Sequence, residues 1–246
     1  MKLRFSGNKS HAIIWLHGFC ISSEIWNDCL PHFDENFCSI CVDLPGFGDS
    51  PLIYFESLAD LAEQIYQTLK NQKIPNATMI GHSLGGYICM EIARRHPEFC
   101  NSLILFHSNA FEDSDERKKI REVYLDAYER FGTDFFLRNF HENLFYQRQT
   151  DVINSLKEKH ADISVGTLQR YTAAMKERQG YDDILTNQIP KMIIAGAFDL
   201  AISSEEYLRM YNKAENCELL MLANSAHMGM MEESEKAAKA ILSFLN

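Results

Sequence analysis

The chain has 246 residues, of which 46% are hydrophobic and 24% are charged. This length and apolar content suit one large α/β domain rather than two domains. The 34 acidic residues outnumber the 24 basic ones, which gives a formal net charge of −10. Because no basic stripe interrupts this acidic balance, the sequence argues against nucleic acid as a partner.

Short apolar runs alternate along the chain with amphipathic stretches. The runs predict strands at 12–16, 37–42, 76–80, 100–106, 191–196 and 219–222. Helical spacing of the apolar residues predicts helices at 57–71, 87–95, 204–214 and 232–245. Between 109 and 181 the chain is rich in charged and aromatic residues and shows no strand pattern. Since this stretch is too long for a bare loop, we expect it to fold as helices.

Cysteine usage and the apolar runs bear on the cellular setting. The seven cysteines are an odd number, and the apolar run at 12–16 is too short for a secretory signal. A reduced, cytoplasmic setting is therefore expected. No apolar run approaches the length of a membrane span. Cys38 and Cys41 have C-x-x-C spacing, but they lie in a predicted buried strand without a second pair, so we interpret them as structural.

A serine between two glycines follows the predicted strand at 76–80. The motif Gly81-His82-Ser83-Leu84-Gly85 stands between that strand and the helix at 87–95. A sharp strand-to-helix turn lifts a serine hydroxyl above the sheet edge, and it places the next amide at a helix N-terminus. Ser83 is therefore predicted to be a nucleophile. His82 belongs to the same turn and is interpreted as structural.

An acid and a base follow two later strands. Asp199 comes just after the strand at 191–196, and His227 just after the strand at 219–222. Open α/β sheets build their sites at the carboxyl ends of their strands, so these side chains should meet near Ser83. We predict a catalytic triad of Ser83, Asp199 and His227, with His227 as the base. The spacing of the other histidines indicates no metal site.

The loop after the first predicted strand carries His17-Gly18-Phe19. A glycine-containing loop at this place can aim a backbone N–H at the space above Ser83, so we expect the amides of Phe19 and Leu84 to form an oxyanion hole. The side chains of Phe19 and Met228 adjoin these motifs and are expected to line the substrate pocket. A minority of the aromatic residues at 109–181 should complete this largely apolar pocket.

With these motifs in register, the chain resembles the α/β-hydrolase family over nearly its whole length. The resemblance is carried by residues 17–19, 43–50, 81–86, 196–199 and 225–227. It implies an α/β fold with a mostly parallel central sheet flanked by helices and a helical cap inserted after the sixth family strand. The core would comprise 1–108 and 182–246, and the cap 109–181. The N-terminal hairpin of the family is expected to be shortened, with the first family strand missing.

In some members of this family the acid follows the strand after the nucleophile helix. Here that position would offer Asp113 or Asp115, which have the pattern of helix-start residues on a cap surface. Asp199 is preferred because it follows Gly196-Ala197-Phe198, which resembles the acid context of the family.

The resemblance implies a serine hydrolase, like a carboxylesterase, that needs no cofactor. Its expected substrate is a small, largely apolar carboxylic ester or thioester, cleaved through an acyl-enzyme on Ser83. One alternative is a lyase or synthase of the menaquinone-pathway type, which would use the triad for proton abstraction in a pocket containing arginine. The candidate arginines are Arg117, Arg121, Arg138, Arg148 and Arg170. A ligand receptor with slow hydrolase activity is the other alternative, because fold alone does not fix function.

Overall fold

The computed structural model describes residues 1–7, 11–33, 36–147 and 149–246. Seven strands in these residues form one sheet; they are β1 (Lys2–Ser6), β2 (Ala12–Leu16), β3 (Cys38–Asp43), β4 (Ala77–His82), β5 (Cys100–Phe106), β6 (Lys191–Gly196) and β7 (Cys217–Leu222). Their order across the sheet is β1-β3-β2-β4-β5-β6-β7. Every neighbouring pair is parallel except β1 and β3. The expected mostly parallel sheet is confirmed.

Helices connect the strands and cover both faces of the sheet. They are α1 (Leu58–Asn71), α2 (Leu84–Arg95), α3 (Asp115–Phe131), α4 (Asp134–Phe140), α5 (Thr150–Lys159), α6 (Val165–Lys176), α7 (Asp182–Leu185), α8 (Ser204–Lys213), α9 (Gly229–Glu232) and α10 (Ser234–Leu245). Because successive strand residues point to opposite faces, β2 sends Ile14 into one apolar cluster and Trp15 into another. Because helices cover both faces of the sheet, β2, β4 and β6 are buried along their whole length.

A strand also forms before Ala12, where the sequence analysis predicted none. β1 pairs antiparallel with β3, and Leu3 lies opposite Val42. Its residues are exposed or half-buried, and the side chain of Phe5 is 50% exposed. The run therefore lacks the continuous apolar pattern by which the buried parallel strands were recognised.

The nucleophile turn is tighter than the sequence indicated. β4 continues through Gly81 and His82, which lie opposite Leu105 and Phe106 of β5. α2 begins at Leu84. Ser83 is thus the single residue between a buried strand and a helix.

The chain between β5 and β6 contains α3 to α7 and a 3₁₀ turn at His141–Leu144, and we call residues 107–190 the helical segment. Its described residues include no strand. Tyr171 of α6 packs between the rings of Phe47 and Phe55, each with its centroid 4.9 Å away. The helical segment therefore shares an apolar cluster with the sheet and its helices. Among the described helices, none combines the length and the apolar character that crossing a membrane requires.

Candidate active site

Ser83 occupies a strained backbone conformation at the end of β4. Its φ is +49° and its ψ is −114°, outside the regions that residues with a side chain ordinarily adopt. The turn is held by hydrogen bonds from the Ser83 amide to the carbonyl of Phe106 (3.0 Å) and from the Ser108 hydroxyl to the carbonyl of Ser83 (2.8 Å). A Cβ atom on Gly81 would lie 2.4 Å from the backbone of Gly85, so only glycine fits there.

The structure brings the predicted acid and base together beside this turn. Nδ1 of His227 donates to Oδ2 of Asp199 at 2.8 Å, and the Asp199 side chain is fully buried. His227 and Ser83 line the same cavity. Burial alone would raise the pKa of Asp199, but its electrostatic interaction with His227 and hydrogen bonds from His107 and His227 outweigh this effect and lower that pKa well below its ordinary value. Asp199 is therefore a carboxylate at neutral pH.

The backbone on both sides of the His227 ring is fixed by other residues. The His227 carbonyl accepts a hydrogen bond from Nε2 of His82 (2.9 Å), and its amide donates to the carbonyl of Leu144 (2.9 Å). Burial lowers the pKa of His82 well below its ordinary value, so this ring is neutral. Its interaction with the His227 backbone supports the structural interpretation of His82.

The His17-Gly18-Phe19 loop packs directly against the nucleophile turn. A Cβ on Gly18 would lie 2.5 Å from Nδ1 of His82, which shows how closely the loop backbone approaches the His82 ring of the turn. Nδ1 of His17 donates to the carbonyl of Gly18 (2.7 Å), and Nε2 accepts from the amide of Leu44 (2.9 Å). Burial lowers the pKa of His17 to about 4, so this single neutral tautomer persists at neutral pH. His17 thereby fixes the loop that carries Phe19.

The cavity above Ser83 has a volume of about 410 Å³. The Phe19 side chain lines it, together with four aromatic residues of 109–181, namely Tyr124, Tyr128, Phe136 and Phe140. Leu84 is the first residue of α2, and its side chain is buried in the apolar interior. A pocket of this size and apolar character accommodates a small organic acyl group.

The prediction for Met228 was wrong. Met228 is fully buried in the apolar cluster that also contains Trp26 and Met230, and it is absent from the described residues that line the cavity. The chain turns into α9 directly after His227. Because the His227 ring faces the cavity, the next side chain is directed into the protein interior.

The interpretation of Asp113 as a surface residue was also wrong. Asp113 is 2% exposed, and its carboxylate pairs with Arg178 at 2.7 Å and with Arg121. Asp115 is the exposed first residue of α3, next to the N-cap residue Ser114. The carboxylate that accepts the hydrogen bond from Nδ1 of His227 belongs to Asp199.

Two of the candidate arginines line the cavity. Arg117 donates to the carbonyl of Ala201 at 2.6 Å, and Arg121 pairs with Asp113. Arg138 pairs with a neighbouring residue of α4 on the surface, and Arg170 donates to the carbonyl of Phe55. Arg148 lies outside the described residues.

Three side chains that no motif marked surround the acid and the base. The Tyr207 hydroxyl donates to Oδ2 of Asp199 at 2.6 Å, and Nδ1 of His107 lies 3.5 Å from the same oxygen. Glu232 accepts hydrogen bonds from the Ser225 hydroxyl (3.0 Å) and the Ala226 amide (2.9 Å), just before His227. No local sequence signal identifies them, because their contacts arise only from the tertiary fold.

One group of side chains in the described part of the chain has its donor atoms close enough to hold a metal ion. It comprises His107, Asp199 and His227, whose candidate ligand atoms lie within 4.8 Å of one another. Nδ1 of His227 already donates to Asp199, and Nε2 of His107 accepts from the amide of Gly229 (3.0 Å). Hydrogen bonding accounts for this arrangement, so we assign the group to the Asp199 network.

The chain is similar to known proteins over most of its length. A family model described as alpha/beta hydrolase fold matches residues 11–234. The pimeloyl-[acyl-carrier protein] methyl ester esterase of Yersinia pseudotuberculosis serotype O:1b (strain IP 31758) is 24% identical over 241 residues, which cover 94% of this chain and 92% of that protein.

Solved structures show the same fold. A thermophilic esterase from Thermogutta terrifontis has a TM-score of 0.91 at 22% identity, covering 99% of this chain and 92% of that one. MenH from S. aureus has a TM-score of 0.85 at 20% identity, covering 99% of this chain and 97% of that one. With the strand order and the nucleophile turn described above, the match over residues 11–234 shows that the chain belongs to the α/β-hydrolase family.

Proposed function

We propose that the protein is a serine hydrolase that cleaves a small, largely apolar carboxylic ester or thioester. The observation that carries this proposal is the 2.8 Å hydrogen bond between His227 and Asp199, beside a strained Ser83 on the wall of one cavity. The name of the Yersinia relative, a methyl ester esterase, supports the same bond type.

The proposed reaction begins with proton transfer from the Ser83 hydroxyl to Nε2 of His227. Because Nδ1 of that ring donates to Asp199, Nε2 is the nitrogen available as a base. The serine oxygen attacks the acyl carbon, and the amides of Phe19 and Leu84 stabilise the oxyanion. His227 then protonates the departing alcohol or thiol. In the second half His227 takes a proton from water, the water oxygen attacks the acyl carbon, and His227 returns the proton to Ser83 as the bond from Ser83 to the acyl group breaks.

The position of the helical segment above the cavity supports the proposal that part of it is a cap. We propose that 109–181 forms the cap and that 1–108 and 182–246 form the core. Residues of α3, α4 and α6, among them Tyr128, Phe136 and Met175, line the cavity above Ser83. Such a cap would set which acyl groups fit, whereas the core residues would carry out the chemistry.

A lyase that uses the same triad for proton abstraction is the second candidate. The observation in its favour is that Arg117 and Arg121 line the cavity, where they could face an anionic substrate. Both guanidinium groups already have partners, namely the carbonyl of Ala201 and the carboxylate of Asp113. Hydrolysis of an uncharged ester is therefore favoured.

Steady-state kinetics on p-nitrophenyl esters from acetate to laurate test the proposal. A cavity of about 410 Å³ should give the highest kcat/KM for short or medium acyl chains. If correctly folded protein turns over none of these esters, the result would favour the lyase, or the alternative of a ligand receptor with slow hydrolase activity.

A further inference from the structure

The carboxylate of Asp199 is held from several sides. Oδ1 accepts from the amides of Ala201 (2.8 Å) and Ile202 (3.2 Å). Oδ2 accepts from Nδ1 of His227 (2.8 Å) and from the hydroxyl of Tyr207 (2.6 Å). An ionised carboxylate only accepts hydrogen bonds, and these four donors hold it by both of its oxygens.

Tyr207 reaches this carboxylate from a rigid element. It lies on α8, whose N-terminus is fixed by a capping box between Ser203 and Glu206. The ring is fully buried, and burial raises the pKa of Tyr207 well above its ordinary value, so the hydroxyl keeps its proton. Because an ionised carboxylate only accepts hydrogen bonds, Tyr207 must be the donor. Its side chain does not line the cavity among the described residues, so it acts through Asp199 and not on substrate.

His107 connects the acid to the loop of the base. Its Nε2 accepts from the amide of Gly229 at 3.0 Å and therefore carries no proton. Burial lowers the pKa of His107, so the ring is neutral and its proton is on Nδ1. That nitrogen lies 3.5 Å from both Oδ2 of Asp199 and the hydroxyl of Tyr207. His107 thus places its Nδ1–H beside both Oδ2 of Asp199 and the Tyr207 hydroxyl, and it accepts from a residue two positions after His227.

We propose that Tyr207 and His107 are positioning residues that aim Oδ2 of Asp199 at Nδ1 of His227. This inference rests on the triad of the proposed function. Tyr207 fixes the carboxylate from α8, and His107 fixes the distance between the Asp199 loop and the start of α9. Without these donors the carboxylate rotates more freely, and the His227 ring spends less time with Nε2 directed at Ser83.

The conservative substitution Tyr207→Phe removes the hydroxyl and keeps the ring. One hydrogen bond to a charged acceptor is lost, and we expect kcat on a p-nitrophenyl ester to fall about tenfold to a hundredfold. KM should change less than about twofold, because Tyr207 is outside the cavity lining. Tyr181→Phe is the matched control, since Tyr181 is equally buried in an apolar cluster, where its ring lies beside Arg94 and makes no contact with Asp199.

Proton NMR gives a readout that does not depend on turnover. The Nδ1 proton of His227 should give a downfield resonance in the wild type, identified by its loss in His227→Gln. We expect Tyr207→Phe to move or broaden this resonance and Tyr181→Phe to leave it in place. A general loss of packing would affect both tyrosine variants, and thermal unfolding of each variant checks for that effect.

Two substitutions of His107 test the contacts of its two ring nitrogens one at a time. His107→Asn keeps an N–H donor near the Nδ1 position, whereas His107→Gln keeps an acceptor near the Nε2 position. We expect the Asn variant to retain the His227 resonance better than the Gln variant.

The proposal is contradicted if Tyr207→Phe keeps both the wild-type kcat and the wild-type resonance while Tyr181→Phe behaves in the same way. If the wild type hydrolyses no ester, the proposed function fails, and the NMR comparison alone then decides whether Tyr207 positions the Asp199–His227 pair.

Discussion

The amide of His227 donates a hydrogen bond to the carbonyl oxygen of Leu144 at 2.9 Å. Leu144 belongs to the helical segment and also lines the cavity. A second link runs through Glu232, which accepts from the amide of Tyr146 at 2.6 Å and from the Ala226 amide at 2.9 Å. The segment that shapes the cavity therefore also holds the loop of the proposed base.

Substitution of Glu232 by alanine tests this link. Glu232→Ala leaves the amides of Ala226 and Tyr146 without their acceptor, so the loop before His227 should loosen. We expect kcat on a short ester to fall about tenfold, equivalent to about 1.4 kcal/mol of lost transition-state stabilisation. Glu235→Ala, on the exposed side of α10, should leave kcat unchanged. Equal kcat values for the two variants would contradict the link.

Two carboxylate substitutions test the assignment of the acid. Asp199→Asn should lower turnover by about 10⁴, because the amide favours the wrong tautomer of His227. Asp115→Asn should leave turnover unchanged, since Asp115 is exposed at the start of α3. Kinetics of both variants on one ester decide the assignment, and it fails if Asp199→Asn is active while Asp115→Asn is inactive.

Asp113→Asn has a different expected result. This substitution leaves the buried guanidinium of Arg178 without its charged partner, which should lower the free energy of unfolding by roughly 3–5 kcal/mol. Turnover per folded molecule should remain. Denaturant unfolding and active-site titration separate these effects, and an inactive but fully stable Asp113→Asn protein would contradict the structural role.

The glycine before the nucleophile turn provides a stability test. In Gly81→Ala the new Cβ would lie 2.4 Å from the backbone of Gly85, and the turn must shift. We expect a loss of about 3 kcal/mol in the free energy of unfolding, together with loss of turnover. Gly166→Ala in α6 is the control, because its Cβ meets nothing closer than 3.8 Å. Its melting temperature should be unchanged or slightly higher. Similar stability of the two variants would show that the turn tolerates a side chain.

A buried histidine pair in the helical segment predicts acid sensitivity. The ring of His160 stacks on that of His141, and burial lowers the pKa of His160 from 6.5 to about 3. Between these values the unfolded chain binds a proton that the folded protein does not. Stability should therefore fall as the pH decreases from 6.5 towards 3, by about 1.4 kcal/mol per pH unit for this residue.

His160→Phe removes this contribution and should flatten the dependence of the unfolding free energy on pH. The slope should decrease without vanishing, because burial also lowers the pKa of His17 and His141. Chemical denaturation of wild type and His160→Phe between pH 7 and pH 4.5 measures the difference. Identical slopes would show that His160 does not stay neutral in the folded protein.

The positions of Ser83, Asp199 and His227 could be predicted because each lies within five residues of the end of an apolar strand. Parallel strands end at one edge of the sheet, so order along the chain becomes proximity in space. The predictions for Met228 and Asp113 were wrong because they depended on the direction in which each side chain points. Met228 follows His227 yet turns into the core, and Asp113 precedes a helix yet pairs with Arg178, 65 positions later. Tyr207 and His107 were missed because their partner is set only when α8, β5 and β6 pack together.

Turnover of a short p-nitrophenyl ester by wild type and Ser83→Ala is the most direct test of the proposed function. Ser83 lies between β4 and α2 with its φ at +49°, and alanine keeps that backbone while removing only the hydroxyl. We predict that kcat/KM falls by about 10⁴ or more while the melting temperature stays within a few degrees. Turnover by Ser83→Ala within about tenfold of the wild type would contradict the proposed nucleophile.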